Sequence, residues 1–477
     1  MRTNGSQRSD LEGSYPPVIT QGVSLLIGDP KKAILKLSGP MIVAMLVIAA
    51  YNLVNAVWVV GLGSDALAAV GFIMPVFMII FGISSGIGAG VASSISRKIG
   101  ANDKAGADDV AMHALILVIL LTVILTVPLY LFAEPIVKAL GAGTASGLAV
   151  EYGRIIFAGA VFVIFQNIAF SILRAEGDTL RTMYVMTAAS ILNAVLDPIL
   201  IYYAGMGISG AAWGTVISTA LGCTVPMYWL MIKGDTYVSL TWKSFSLSFD
   251  VMKDILQVGL PASLEFLLLS IDALIINSML THVSGTDAVA VYAGGWRVIM
   301  FALIPMIAIG TAALSVAGAS FGSGRYQNLQ VVLSYSVRLA LMIGIATSVL
   351  TWALAPQITT IFTYSPDSVH LTPTMVAFLQ MMCLFYPFVP PGIMSASIFQ
   401  GTGKGVTSLI IEFLRVVVFI AVMAFVLGIV FGMGEYGVWL GIILGNIMGG
   451  IVGYIWARLY IRRLEQREDL WSHLSRA

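Results

Sequence analysis

Asn193 and Asp197 are the polar residues of an otherwise apolar stretch, Ile191–Tyr203, which reads ILNAVLDPILIYY. Residues four apart lie on one face of a helix, so the amide and the carboxylate can act together. Pro198 follows at once and removes one helical hydrogen bond. A carboxylate in this setting binds a cation, holds a proton, or serves packing alone through hydrogen bonds to its neighbours. Because an ionisable group in a bilayer costs several kcal/mol, a functional role is the working hypothesis.

The composition of the chain indicates that this carboxylate lies in a membrane. Hydrophobic residues make up 58% of the 477 residues and charged residues 10%, whereas soluble domains carry roughly 25% charged residues. The net charge of +1 does not favour nucleic acid as a partner. Cys223 and Cys383 lie in apolar runs without a CxxC or Cys/His cluster, so neither a disulfide nor a structural metal is indicated.

Apolar runs of about 20 residues mark twelve predicted membrane-spanning helices. Lys and Arg concentrate near both termini and in the even-numbered loops, while the odd-numbered loops hold only Lys138. This asymmetry predicts a cell-membrane protein with both termini and the even loops in the cytoplasm. The predicted spans are residues 37–60, 67–95, 109–132, 150–172, 182–204, 210–232, 252–280, 287–320, 332–354, 371–398, 406–432 and 437–460.

An internal repeat relates the two halves of the chain. Gly63–Val70 (GSDALAAV) returns as Gly285–Tyr292 (GTDAVAVY), and Gly210–Gly214 (GAAWG) returns as Gly437–Gly441 (GVWLG). We therefore predict an all-α fold of two repeat-related six-helix lobes in the same orientation, with a substrate site near the membrane midplane, between or within the lobes. The predicted segments are a cytosolic tail and lead-in 1–36, an N-lobe 37–232, a cytosolic linker 233–251, a C-lobe 252–460 and a cytosolic basic tail 461–477.

Motifs in the chain resemble those of the multidrug and toxic compound extrusion (MATE) family. Gly28–Pro40 (GDPKKAILKLSGP) looks like the entry to the first helix of that family. Three further stretches are similar: Tyr51–Gly63 (YNLVNAVWVVGLG), Leu173–Thr179 (LRAEGDT) and Gly207–Thr215 (GISGAAWGT). The resemblance is closest to the prokaryotic branch named after the DNA-damage-inducible protein F. It implies a V-shaped fold of twelve helices.

The resemblance also implies an activity and a site. Family members are secondary active antiporters that export organic, often cationic and amphipathic, compounds in exchange for Na⁺ or H⁺ by alternating access. In this branch the cation site uses an Asp on helix one, an Asn and an Asp on helix five and a Thr on helix six. Asn193, Asp197 and Thr215 match, whereas Asn55 replaces the helix-one Asp and leaves the coupling ion and its stoichiometry open. Together these residues offer oxygen ligands, which suit a hard cation such as Na⁺. Tyr152 falls where the family has a pocket tyrosine.

Other polar residues within spans are candidates for lining the substrate cavity. Tyr51 and Asn55 lie one turn apart on span one, on a face predicted to line the N-lobe cavity. Asn277 is the repeat equivalent of Asn55, and span seven also carries Glu265 and Asp272. Two interpretations of Asp272 stay open: a second ion or substrate site, and a structural hydrogen bond.

Two features of the spans predict packing contacts. Glu412 and Arg415, three residues apart on span eleven, are expected to form an intrahelical ion pair. The small residues of Gly82–Gly90 are expected to let helices approach closely.

Two alternatives to an antiporter remain. A flippase for lipids or lipid-linked sugars shares the fold, but the scarcity of cationic residues in the spans disfavours an anionic pyrophosphate cargo. A membrane-embedded enzyme would need a paired catalytic set, and neither an HExxH nor a Walker motif is present in the sequence. We therefore expect no enzymatic activity, no cofactor beyond the coupling ion, small amphipathic molecules and the bilayer as partners, and a monomer.

Overall fold

The computed structural model describes residues 20–240, 245–364 and 368–474, with side chains up to residue 468. Residues 1–19 of the predicted tail, 241–244 of the predicted linker and 475–477 of the predicted basic tail lie outside the described residues. Within the described ranges every regular element is a helix. The spanning helices are α1 (Pro30–Val60), α2 (Ser64–Gly100), α3 (Lys104–Leu131), α4 (Gly143–Ala175), α5 (Thr179–Tyr203), α6 (Gly207–Lys233), α7 (249–284), α8 (286–322), α9 (Tyr326–Phe362), α10 (Val369–Gly401), α11 (Gly405–Val430) and α12 (Gly434–Leu474).

The break between α7 and α8 completes the set of twelve spans. Gly285 separates these helices with a φ of 77°, which lies in the left-handed region that glycine tolerates. Its repeat partner Gly63, with a φ of 100°, separates α1 from α2. Two short helices, Gln21–Leu26 and Ala133–Ala139, lie outside the spans. The predicted all-α fold with twelve spans is confirmed for the part of the chain that the structure describes.

The repeat is visible in the backbone as well as in the sequence. α5 and α11 each end in a π-helical turn, Ile199–Tyr203 and Val426–Val430, at equivalent positions of the two halves. A Cβ atom on Gly214 of α6 would clash with Asp197 of α5, and one on Gly441 of α12 would clash with Ala424 of α11. The two repeat-related lobes are therefore confirmed, and Ala424 stands where the N-lobe has Asp197.

Each lobe has its own hydrophobic core, but the first helix of each lobe crosses to the other. The C-lobe core includes Ile34 and Leu37 of α1, and the N-lobe core includes Ile255 of α7. Ile34 and Ile255 occupy the same place relative to Pro40 and Pro261, the prolines inside these two helices. The crossing therefore follows the repeat, and it fastens the two lobes together.

α1 begins at Pro30, before the span predicted from residue 37. The Asp29 side chain caps this helix by accepting a hydrogen bond from the Lys31 N–H at 2.9 Å. Pro30 occupies the first turn, where a missing N–H costs no helical hydrogen bond. The first turns of α1 carry Lys31, Lys32 and Lys36. These lysines lower the mean hydropathy of the turns, so a hydropathy criterion excludes them from the span although they are helical.

The lobes pack closely on one side of the molecule, where α2 ends and α7 begins. We call this side, which carries the even-numbered loops, the positive side. There is no room for a Cβ atom at Gly86, which lies against Ser263, or at Gly90, which lies against the backbone of Ile255 and Gly259. The predicted packing role of the small residues in α2 is confirmed.

Polar contacts also join the lobes on the positive side. Arg97 of α2 forms an ion pair with Asp254 of α7, with 3.0 Å between Nη2 and Oδ2. The Ser94 hydroxyl donates to the same Oδ2 at 2.6 Å. Closer to the middle of the helices, the Ser263 hydroxyl donates to the Ile83 carbonyl at 3.1 Å. The lobes are thus closed against each other on the positive side.

Candidate functional site

A polar cluster in the N-lobe forms around Asp197 of α5. The Asp197 side chain is 0% exposed, and Asn193, one turn earlier, is 4% exposed. Pro198 lacks an N–H, and the helix continues after it as the π-helical turn Ile199–Tyr203. Such turns are often found at functional sites, because they interrupt the regular hydrogen-bond ladder. α5 therefore holds an amide and a carboxylate together in the protein interior.

Hydrogen bonds connect this pair to α1. With its nitrogen turned toward Asp197, the Asn193 amide donates to Oδ1 at 2.7 Å and lies 2.9 Å from the Tyr51 hydroxyl. The Tyr51 hydroxyl also lies close to the side chains of Asp197 and Thr215. When the amide is turned over, its oxygen faces the carboxylate, and a proton or a cation must then lie between the two oxygens.

α6 supplies the remaining hydroxyl groups of the cluster. Thr215 Oγ1 donates to the Ala211 carbonyl at 3.2 Å, which leaves its lone pairs available as a ligand. The Ser218 hydroxyl lies 3.0 Å from the Asn193 amide oxygen when the amide nitrogen faces Asp197. Sequence analysis missed Ser218, although its spacing of three residues from Thr215 places both on one helix face.

Asn55 lies one turn after Tyr51 on α1, and Tyr152 lies on α4. The Asn55 Oδ1 atom is buried and has no hydrogen-bond partner among the described residues. Tyr152 is 7% exposed and lies within electrostatic range of Asp197. None of the ion pairs in the described ranges includes Asp197. The donor set of carboxylate, amide and hydroxyl oxygens around Asp197 fits a hard monovalent cation.

The structure places Glu265, Asp272 and Asn277 on α7 of the C-lobe, and among the described residues none of them hydrogen-bonds the N-lobe cluster. The Oδ1 atoms of Asp272 and Asn277 are buried without hydrogen-bond partners in these ranges. Glu265 Oε2 accepts a hydrogen bond from Gln400 Nε2 at 2.9 Å. The predicted ion pair on α11 is confirmed, since Arg415 Nε donates to Glu412 Oε2 at 3.0 Å.

Comparison with known proteins identifies the family. The MatE family model matches residues 40–199 and 261–426, which make up most of both lobes. The chain belongs to the MATE family. The solved structure of "a multidrug resistance MATE family transporter of the MOP superfamily" in its outward-facing conformation is 42% identical, with a TM-score of 0.91, and the match covers 94% of this chain and 99% of that one.

Two relatives of the chain are named after different transported compounds. The multidrug export protein MepA of Staphylococcus aureus is 26% identical over 405 residues, which are 84% of this chain and 88% of MepA. An FAD transporter of Shewanella oneidensis is 26% identical over 398 residues, which are 82% of this chain and 87% of that protein. This MATE protein is therefore a multi-pass membrane transporter and not an enzyme.

The linker between the two MATE lobes is fastened to the N-lobe on the positive side. Glu176, just after α4, is 1% exposed and accepts a hydrogen bond from the Val238 N–H at 3.0 Å. The Ser248 N–H donates to His113 Nε2 at 2.8 Å. Burial raises the pKa of Glu176 to about 8. The attachment of the linker through Glu176 is therefore sensitive to pH.

Glu176→Gln is expected to remove a pH-dependent loss of stability. The carboxyl group is neutral at low pH, and its ionisation destabilises the folded protein increasingly as the pH rises from 4.5 to about 8. Glutamine keeps an acceptor for Val238 and stays neutral. Thermal unfolding should show equal stabilities well below pH 4.5, and above pH 8 the variant should be more stable by on the order of a few kcal/mol. Glu134→Gln, at an exposed site, is the control, and an unchanged pH dependence in Glu176→Gln would contradict the prediction.

Proposed function

We propose that the chain is a secondary active antiporter that exports amphipathic organic cations in exchange for Na⁺ or H⁺. The fully buried Asp197 carboxylate is the observation that carries this proposal. It lies among the oxygen donors of Asn193, Tyr51 and Thr215, and none of the ion pairs in the described ranges includes it. A carboxylate in such a place is stable only when it holds a proton or a cation. Its occupancy therefore follows the cation gradient.

The proposed mechanism is alternating access between the two lobes of a cell-membrane protein whose positive side, with both termini, faces the cytoplasm. Contact on the positive side is assigned to the outward-open state of this cycle, and the outward-facing relative of 42% identity supports this assignment. In this state Asp197 takes up the cation, with the Asn193 amide oxygen and Thr215 as further ligands and the Asn55 oxygen available beside them. Opening on the positive side then releases the cation and admits the substrate.

The proposed cavity lining favours substrates with positive charge. Tyr51 and Tyr152 supply aromatic surface in the N-lobe, and Glu265, Asp272 and Asn277 supply carboxylates and an amide in the C-lobe. Aromatic faces and carboxylates both attract cations. The same carboxylates repel anionic cargo, which argues against a flippase for lipid-linked pyrophosphates.

Transport in proteoliposomes tests the proposal. Vesicles containing the wild-type protein and ethidium should lose ethidium faster when a Na⁺ or proton gradient is imposed in the opposite direction. Vesicles without protein give the background rate. Ethidium efflux that responds to neither gradient would contradict antiport, and faster gradient-driven movement of FAD than of ethidium would contradict the cationic substrate class.

Asn55→Asp is expected to change the ion dependence of transport. The new carboxylate would replace the Asn55 amide, whose oxygen has no hydrogen-bond partner among the described residues. It would lie one turn from Tyr51 on the same face of α1. Added negative charge strengthens cation binding, so the concentration of Na⁺ or H⁺ at half-maximal efflux should fall by roughly 10-fold. Ethidium efflux measured across a series of Na⁺ concentrations and pH values gives this quantity. Asn102→Asp, at an exposed position of the loop after α2, is the control, and identical ion dependences for all three proteins would remove Asn55 from the site.

A further inference from the structure

A second polar cluster lies in the C-lobe and consists of Glu265, Asp272, Glu412 and Arg415. Glu412 and Arg415 neutralise each other through two hydrogen bonds, and Arg415 Nη1 also donates to Asn446 Oδ1 at 2.6 Å. Glu265 and Asp272 lie within electrostatic range of this pair. The C-lobe cluster thus contains three carboxyl groups and one guanidinium group. This excess of acidic groups attracts an additional positive charge.

Unsatisfied oxygens in this cluster point to a missing donor. Asp272 is only 9% exposed, yet its Oδ1 atom has no hydrogen-bond partner among the described residues, and the same holds for Glu265 Oε1. Leaving a buried carboxylate oxygen unpaired is costly, so such an atom favours a ligand that brings its own N–H groups. Tyr292 lies within electrostatic range of Asp272, and its ring is 5.4 Å from that of Trp296. Aromatic faces beside a carboxylate are typical of sites that bind ammonium groups.

Gln400, near the end of α10, connects this cluster to the contact between the lobes. Its Nε2 atom donates to Glu265 Oε2 at 2.9 Å. Its backbone carbonyl accepts a hydrogen bond from the Ser93 hydroxyl of α2 at 2.5 Å. The same serine also donates to the Gly401 carbonyl at 3.3 Å. One residue therefore joins a carboxylate of the C-lobe to the helix of the N-lobe that closes the positive side.

The repeat shows that the fold does not require this connection. Arg174 is the N-lobe equivalent of Gln400, and it donates to the Ser171 hydroxyl at 2.7 Å instead of to a carboxylate. The N-lobe equivalent of Glu265 is Ala44, which stands in the same place after its helix proline. The connection from carboxylate to Gln400 is thus a feature of the C-lobe alone.

We propose that Asp272 and Glu265 form a subsite for the ammonium group of an exported amine, and that Gln400 is a positioning residue that links this subsite to the contact between the lobes. The proposal rests on the proposed export function and deepens it. Glu265 and Asp272 are two turns, or about 10 Å, apart along α7, so the ammonium group hydrogen-bonds Glu265, where it competes with Gln400 Nε2, while the charge of Asp272 attracts it. Release of the Gln400 side chain frees the end of α10 and weakens the hydrogen bonds from Ser93. Binding of the amine thereby favours separation of the lobes on the positive side.

Equilibrium binding without any ion gradient tests the subsite. Dansylcadaverine carries a primary ammonium group, and dansylamide has the same fluorophore without it. The wild-type protein should bind dansylcadaverine at least about 10-fold more tightly than dansylamide, and Asp272→Asn and Glu265→Gln should each lose most of this preference. Asp250→Asn, at an exposed position, should keep it. A wild-type protein that shows no preference, or variants that retain it in full, would overturn the subsite.

Distances between spin labels test the role of Gln400. Labels on the exposed positions of Asn102→Cys and Lys404→Cys report the separation of α2 and α10 on the positive side. Dansylcadaverine should lengthen this distance in the wild-type background but not in Gln400→Leu, whose affinity for the amine should stay within about 3-fold of wild type. Gln330→Leu, which removes a glutamine that hydrogen-bonds within its own helix, should respond as wild type does. A wild-type response in Gln400→Leu would overturn the link.

These measurements can contradict the subsite without contradicting the export proposal, and the reverse also holds. If ion gradients drive ethidium efflux but Asp272→Asn keeps the preference for the ammonium group, only the subsite is wrong. If the preference disappears in Asp272→Asn while ethidium efflux responds to neither gradient, the subsite stands and antiport is wrong.

Discussion

Asp197→Asn is expected to reduce gradient-driven ethidium efflux by roughly 10-fold or more, because the site then loses its only carboxylate and binds the coupling cation weakly. Asparagine has nearly the same shape, and it keeps a carbonyl oxygen toward Asn193 and Tyr51, so the helix packing around the site should persist. The initial rate of efflux from proteoliposomes under an imposed Na⁺ or proton gradient measures the effect.

The matched control for this substitution is Asp250→Asn. Asp250 is exposed at the start of α7, so the same change in charge occurs without contact to the N-lobe cluster. Its efflux should equal that of the wild type. Full gradient dependence in Asp197→Asn would show that coupling does not pass through this carboxylate.

Gly90→Leu is expected to stop transport by preventing the lobes from closing on the positive side. A side chain at this position would meet the Ile255 carbonyl and the backbone of Gly259, and neither backbone can move without displacing α7. The label distance between Asn102→Cys and Lys404→Cys should be longer and more broadly distributed than in the wild type. Ethidium efflux should fall to the rate of protein-free vesicles.

Gly71→Leu is the control for this steric effect. Gly71 lies on the same helix, and a Cβ atom there has no neighbour within 4 Å, so both the label distance and the efflux should match the wild type. Gly90→Ala provides a smaller change, with an intermediate lengthening expected if the larger variant does not fold. A wild-type distance in both Gly90 variants would contradict the role of the close contact between α2 and α7.

Much of the fold could be predicted from sequence because the relevant signals are local. Apolar runs of sufficient length mark the spans, and similar loops mark the repeat. The spacing of Glu412 and Arg415 is enough to predict their ion pair, which depends on helix geometry alone. Lysines at the start of α1 interrupt the apolar pattern, so the span is predicted to start at residue 37, whereas the helix begins at Pro30.

The tertiary contacts of the candidate site could not be predicted from the sequence. Asn193 and Asp197 are paired by their spacing, but only the packing of α1 and α6 against α5 brings Tyr51 and Ser218 to them. The crossing of α1 and α7 between lobes depends on long-range packing that no local pattern encodes. Gln400 resembles an ordinary polar residue near a helix end until the structure places it between Glu265 and Ser93.

The two lobes share an architecture but differ in chemistry. Asp197 faces Gly214 in the N-lobe, and the equivalent pair in the C-lobe is Ala424 and Gly441. The polar cluster of the C-lobe instead lies on α7 and nearer the start of α11, where Arg415 holds Glu412. This division is consistent with a coupling site in one lobe and substrate contacts in the other.

Substrate-driven ion movement tests most directly whether Asp197 couples the two fluxes. Proteoliposomes with equal Na⁺ concentration and pH on both sides receive ethidium on one side only, and dyes inside the vesicles report Na⁺ and pH. In the wild type, ethidium moving down its gradient should drive Na⁺ or H⁺ in the opposite direction, and Asp197→Asn should abolish this ion movement. Equal ion movement in the wild type and in Asp197→Asn would contradict the account.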